Sequence, residues 1–206
     1  MTTRERILLE NKAWVSEKLS LDRGYFERVA QLHVPKMLWI GSSDSLVPVR
    51  EITNTEPGEI LVYRNMGNLI KANDMGLMAI LEDAIEVAKI KHIVVCGYSH
   101  CSSLREVIEG TDHLYMRQWL VDLRALYELH NDEFKGLSRD EKETKLAVLN
   151  IQQQLKNLSK IPIIQKAWQQ SDYPKLFGWF FDLNSGLFRE IVAMENNLLA
   201  KDGASA

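Results

Sequence analysis

The run Ile93-Val-Val-Cys96 is apolar at every position and stops at Gly97, where Tyr98-Ser-His-Cys101 follows. A strand without polar alternation must be covered on both faces, so this chain needs a sheet held between two layers, as in parallel α/β proteins. A second stretch repeats the pattern: Met37-Leu-Trp-Ile40 ends at Gly41 and opens into Ser42-Ser-Asp-Ser-Leu-Val-Pro48. Each reads as a buried strand that delivers a polar loop. In one parallel sheet both loops leave the same edge, beyond the carboxyl ends of the strands, where open α/β sheets bind their ligands.

The other elements fit around that sheet. Helical patterns cover roughly 6–18 and 22–31, with Asp22 suited to an N-cap. They carry Ile7, Leu8, Trp14 and Val15, then Tyr25, Phe26, Val29 and Ala30. No core precedes them, so this arm is expected to pack on a partner subunit or back on its own sheet. Strands are expected at 37–40, 60–63 and 92–96, with a turn at Pro57-Gly58 before the second. A helix over about 74–89 spaces Ile80, Leu81, Ala84, Ile85, Val87 and Ala88 to cover the sheet. Beyond Cys101 the periodicity predicts helices over 102–109, 114–129 and 138–158, the last opened by a capping box of Ser138 and Glu141. The charged segment 131–143 reads as a solvated connection. A short helix over 161–170, a late strand over 175–182 and a partner strand over 187–191, joined at Asn184-Ser-Gly186, complete the pattern. The domain reading is an N-terminal helical arm (1–33), an α/β domain (34–191), and a C-terminal helix end with a flexible tail (192–206).

At 206 residues and 46% hydrophobic content, one domain can bury a full core. A net charge of −3 with scattered Lys and Arg argues against nucleic acid or an anionic membrane as partner. No stretch approaches the about 18 apolar residues of a membrane span. Cys96 and Cys101 are too few for a disulfide framework and are not spaced as C-x2-C, so a reducing, cytoplasmic setting is expected.

The loops carry hydroxyls, one carboxylate, a phenol, an imidazole and a thiol. Neither matches a phosphate-binding glycine loop, and Gly41-Ser-Ser-Asp-Ser lacks the glycine that a nucleophile elbow needs. Ser42 or Ser43 with His100 is the nearest approach to a hydrolytic pair. Cys96, inside an apolar strand, reads as an inert buried thiol.

The two loops, with Glu56-Pro-Gly-Glu59, Arg64-Asn-Met-Gly-Asn68 and Phe177-Gly-Trp179, resemble the β-class carbonic anhydrases, in register over residues 10–191. The resemblance implies a mostly parallel sheet flanked by helices, in a homodimer or homotetramer. In that family zinc is held by two cysteines, a histidine and, in the closed state, an aspartate, with which an arginine two residues later pairs. On this chain those positions hold Ser42 and Cys101, Tyr98, Asp44 and Leu46, and a substrate-holding glutamine falls at His33. Zinc is held tightly by thiolates and imidazoles, worth roughly 10–16 kcal/mol in structural sites. A serine hydroxyl is not ionised near neutrality, and a tyrosine with a reference pKa of about 10 would first have to lose its proton. No metal is therefore expected, unless His100 supplies a replacement ligand.

An aspartate without its arginine must find other donors or rise in pKa; Ser42, Tyr98 and loop N–H groups are the candidates. The alternative is that these residues merely fill the vacated cavity. Some bacterial members of the family also bind bicarbonate at a non-catalytic pocket, whose tryptophan and arginine correspond to Trp39 and Arg64, beside Gly41, with Phe181 in place of a tyrosine. The alternative there is a core tryptophan and an arginine paired with Glu56 or Glu59. The expected function is a zinc-free homologue, inactive in carbon dioxide hydration, that binds bicarbonate or another small anion or acts as a regulator, assembling with itself or with an active relative. Two further readings stand beside it: a metal-independent enzyme using Tyr98, Ser42 and Asp44 on a small carbonyl substrate, and a zinc hydratase rescued by His100.

Overall fold

The structure, a computed structural model, describes residues 1–31, 35–45 and 47–196. His33, Leu46 and the tail from residue 197 lie outside the described residues. The chain divides into two compact units, Met1–His33 and Val34–Ala206.

In the first unit, helix α1 (Thr3–Leu21) starts with a capping box between Thr2 and Glu5. None of its residues is buried, and Ile7, Leu8 and Leu9 are each more than half exposed. Helix α2 (Tyr25–Ala30) follows, and the rings of Trp14, Tyr25 and Phe26 meet edge to face at 5.1–6.2 Å. Asp22 is not an N-cap: it ends α1, and its carboxylate accepts the N–H of Gly24, which precedes α2. An Asx-type turn has taken the side chain that the helix start could have used.

The second unit is built on a five-stranded sheet in the order β2-β1-β3-β4-β5. Strands β1 (Met37–Ser42), β2 (Ile60–Asn65), β3 (His92–Tyr98) and β4 (Lys175–Asp182) are parallel, and β5 (Leu187–Met194) adds antiparallel to β4. Alternation divides the apolar residues between the two faces. Trp39, Val94, Cys96 and Tyr98 join one core cluster, and Leu38, Ile40, Ile93 and Val95 join the other. The first cluster is covered by α5 (Ser102–Glu109), α7 (Val121–Leu129) and part of α8 (Arg139–Ser159). The second lies under α4 (Met75–Glu82), the end of α8 and α9 (Pro162–Trp168). The expected mostly parallel α/β architecture is what forms.

Helix α8 sets the spacing of the layers. Ile151 lies over the glycines of β3 and β4, and a Cβ on Gly178 would come within 2.5 Å of its Cγ2. Only glycine allows a backbone to approach so closely. Ser138 and Glu141 do form the capping box that starts this helix.

Several boundaries differ from the sequence reading. Residues after Pro48 form a short helix, α3 (Val49–Thr53). The 74–89 helix changes after Glu82 into a π-helical turn, Asp83–Val87. The 114–129 segment breaks into α6 (Leu114–Trp119) and α7 at Leu120, which is wholly buried. The supposed solvated connection contains a 3₁₀ turn, Asn131–Phe134, because Phe134 packs into the core with 2% of its surface exposed. Residues 192–194 are the end of β5, not of a helix.

Candidate functional site at the carboxyl edge of the sheet

Strand β1 lies between β2 and β3, so the connections that follow β1 and β3 run to opposite sides. This is a topological switch point, where loops part and leave a crevice. The loops 42–48 and 98–101 flank it.

Ser42, wholly buried at the end of β1, donates its hydroxyl to Asp44 Oδ1 and accepts the N–H of Gly67 at 2.9 Å. Asp44 Oδ2 accepts the hydroxyl of Ser102 at 3.0 Å and the backbone N–H of Ser103 at 2.6 Å. The carboxylate therefore caps the first turn of α5, where unsatisfied N–H groups and the helix dipole favour an anion. Of the donors expected for Asp44, Ser42 and a backbone N–H serve, but Tyr98 does not.

Tyr98 pairs with Trp39 instead of Asp44. Its hydroxyl accepts the indole N–H of Trp39 at 3.1 Å, and 1% of its surface is exposed. Burial pushes its pKa well above the usual phenol value. The Trp39–Tyr98 pair depends on Gly41, since a Cβ there would stand 3.0 Å from both Trp39 Nε1 and Tyr98 Oη. Phe181 packs beside Tyr98, with ring centroids 6.3 Å apart.

Arg64, at the end of β2, points across to the first loop and donates to the carbonyls of Ser42, Ser45 and Val47, at 3.4, 3.0 and 2.5 Å. It thus fixes the backbone of the 42–47 loop instead of pairing with Glu56 or Glu59.

Cys101 precedes α5, and 3% of its surface is exposed. Burial, and then the charge of Asp44, push its thiol well above the usual range, and burial does the same to Cys96. His100, in left-handed backbone (φ 60°), is partly exposed and sets Nδ1 3.8 Å from Glu143 Oε2, too far for a hydrogen bond. Among the described residues no group of three or more His, Cys, Asp or Glu could hold a metal ion.

Sequence reasoning missed Ser102, Ser103 and Glu143. The two serines were legible as hydroxyl and N–H donors at a helix start, directly after Cys101. Glu143 was signalled by its spacing: it lies one helical turn before Ala147 and two before Asn150, on the buried side of α8. Its Oε1 takes Arg105 and Arg139, each at 3.3 Å, while Oε2 has no hydrogen-bond partner among the described residues.

Comparison with known proteins agrees with this geometry. A family model described as carbonic anhydrase matches residues 37–188. A carbonic anhydrase of Emericella nidulans is 33% identical over 190 residues, spanning 92% of this chain and 83% of that protein. One from Synechococcus elongatus is 33% identical over 171 residues, spanning 80% of this chain and 62% of that protein. Among solved structures, that of tetrameric β-carbonic anhydrases from Sordaria macrospora aligns with a TM-score of 0.87 at 30% identity, over 93% of this chain and 98% of that one. A Coccomyxa β-carbonic anhydrase in complex with acetazolamide also gives 0.87 at 30% identity, over 98% and 92%. With both crevice loops inside the matched region, the chain belongs to the β-class carbonic anhydrase family.

Proposed function

We propose that this chain is a zinc-free β-carbonic anhydrase homologue that does not hydrate carbon dioxide and serves as a bicarbonate or small-anion binding or regulatory protein. The observation that carries the reading is the brace Ser42–Asp44–α5. At the positions where the resemblance places metal donors, the Ser42 hydroxyl is given to Asp44, both Asp44 oxygens are taken by donors, and Tyr98 accepts from Trp39. These donors do not fit a catalytic zinc centre, which uses three strong protein ligands and an open position for water. Zinc, when bound in the family, supplies a water ionised near pH 7 as nucleophile.

The anion would enter beside Trp39, Gly41 and Arg64. A guanidinium with an indole N–H is apt for a small oxyanion. Admission requires Trp39 to release the Tyr98 hydroxyl and Arg64 to exchange the Ser45 and Val47 carbonyls for the anion, which ties occupancy to the conformation of the first loop. Assembly as a homodimer or homotetramer is supported by the outward apolar residues of α1 and by the tetrameric Sordaria macrospora relatives. An active relative is the other partner this reading allows.

The test is metal stoichiometry of the purified protein by elemental mass spectrometry, with a carbon dioxide hydration assay run with and without chelator. Near-zero zinc and no hydration are expected. Chelator-insensitive activity would instead support metal-free chemistry at Tyr98, Ser42 and Asp44. Close to one zinc per chain with chelator-sensitive activity would overturn the proposal in favour of a site using His100. The combined variant Ser42→Cys, Leu46→Arg, Tyr98→His should gain zinc.

A further inference from the structure

A second concave surface lies at the opposite edge of the sheet, where β3 and β4 begin. It is a cleft of about 600 Å³ between the π-helical turn Asp83–Val87 and α9. That volume is in the range of small-molecule sites. Its walls mix Ile85, Ile90 and Ile163 with Gln170 and Ser171, while its rim carries Lys89, Lys91 and Lys166 and, among the described residues, one acid, Glu86.

The charges do not cancel. Lys166 is spent on Glu86, with Nζ 2.7 Å from Oε1. Lys89 and Lys91 form no salt bridge among the described residues, although Glu86 also feels the field of Lys89. The Lys91 ammonium stands 4.9 Å from the centroid of the Tyr173 ring, whose edge-to-face contact with His92 helps fix it at the cleft wall. Lys89 has φ 54°, at a helix end where glycine is the usual left-handed residue. A lysine here accepts backbone strain and places its ammonium on the rim, next to a π-turn of a kind often found at functional sites.

We propose that this cleft binds a small organic anion: a molecule with one phosphate or carboxylate group on an aromatic or branched apolar body. The acid group meets Lys89 and Lys91, and the body lies against the isoleucine walls beside Tyr173. The site shares no residue with the carboxyl-edge crevice and does not depend on whether zinc binds there.

Calorimetric titration of the full chain with phenyl phosphate at low salt tests it. Saturable binding of one molecule per chain is expected, at least about tenfold tighter than for inorganic phosphate or phenol, and weakening as salt is raised. Lys89→Gly removes the ammonium and the left-handed strain together, so it should leave thermal stability equal or higher while weakening phenyl phosphate several-fold. Lys91→Ala should weaken it likewise, and Lys142→Ala, outside both sites, should change nothing. Absence of saturable binding would overturn the proposal. So would equal affinity for inorganic phosphate, unchanged affinity in both Lys89→Gly and Lys91→Ala, or loss of binding in Lys142→Ala.

Discussion

Asp44 shows how one side chain can hold two elements together. It accepts from Ser42 at the end of β1 and from Ser102 and Ser103 at the start of α5. Asp44→Ala strands a buried hydroxyl and a helix N–H, and should cost about 2 kcal/mol or more by urea denaturation, with Asp44→Asn losing less. Tyr63 supplies a pH test. Burial and its hydrogen bond to Asp74 Oδ2, at 2.6 Å, push its pKa up to about 12 from the usual phenol value of 10.0. The raised pKa means that its stabilising contribution is complete below pH 10 and is lost as pH rises towards 12. Denaturation midpoints followed across that window should fall more steeply in the wild type than in Tyr63→Phe. At this scale the sequence was half legible. The departures at Ser42 and Tyr98 could be read, but the new partners could not, because Asp44 and Ser103 are brought together only when β1 and β3 pair.

Between elements, the contact of α8 with the sheet decides the layer spacing. Ile151 fills the space that Gly97 and Gly178 leave open, with Val192 also 2.7 Å from the position of a Cβ on Gly178. Ile151→Ala should destabilise by about 2–5 kcal/mol through the cavity it leaves. Gly178→Ala should destabilise by overpacking. The double variant should lose less than the sum, since the smaller residue at 151 makes room for the new Cβ. Denaturation of the four proteins in that cycle measures the coupling, and strict additivity would remove the packing argument. The strands and the capped α8 were readable because apolar runs, glycines and Ser138 each act locally. The break at Leu120, the π-turn after Glu82 and the burial of Phe134 were not, because tertiary packing decides them against an otherwise continuous helical or polar pattern.

For the whole molecule, the arm and the α/β unit are distinct compact bodies. Helix α1 exposes 57% of Ile7, 56% of Leu8 and 58% of Leu9, a continuous apolar strip on the arm. Placing glutamates at Leu8 and Leu9 should therefore shift light-scattering mass towards the monomer with little change in thermal unfolding of the α/β unit. The opening alternatives for this arm, partner subunit or own sheet, could not be separated by periodicity, which reports an apolar side but not what meets it. The fold as a whole was legible from strand order and loop position, since two parallel strands ending in polar loops leave few arrangements. The brace at the crevice also sets the order in which its residues can be replaced. Ser42 and Asp44 now stabilise the fold itself, so Ser42→Cys alone withdraws a hydroxyl from Asp44 and its acceptor from Gly67 before a metal can compensate. A thiol placed at Ser42 on its own is downhill in stability, and the brace behaves as a ratchet that only combined substitutions can release.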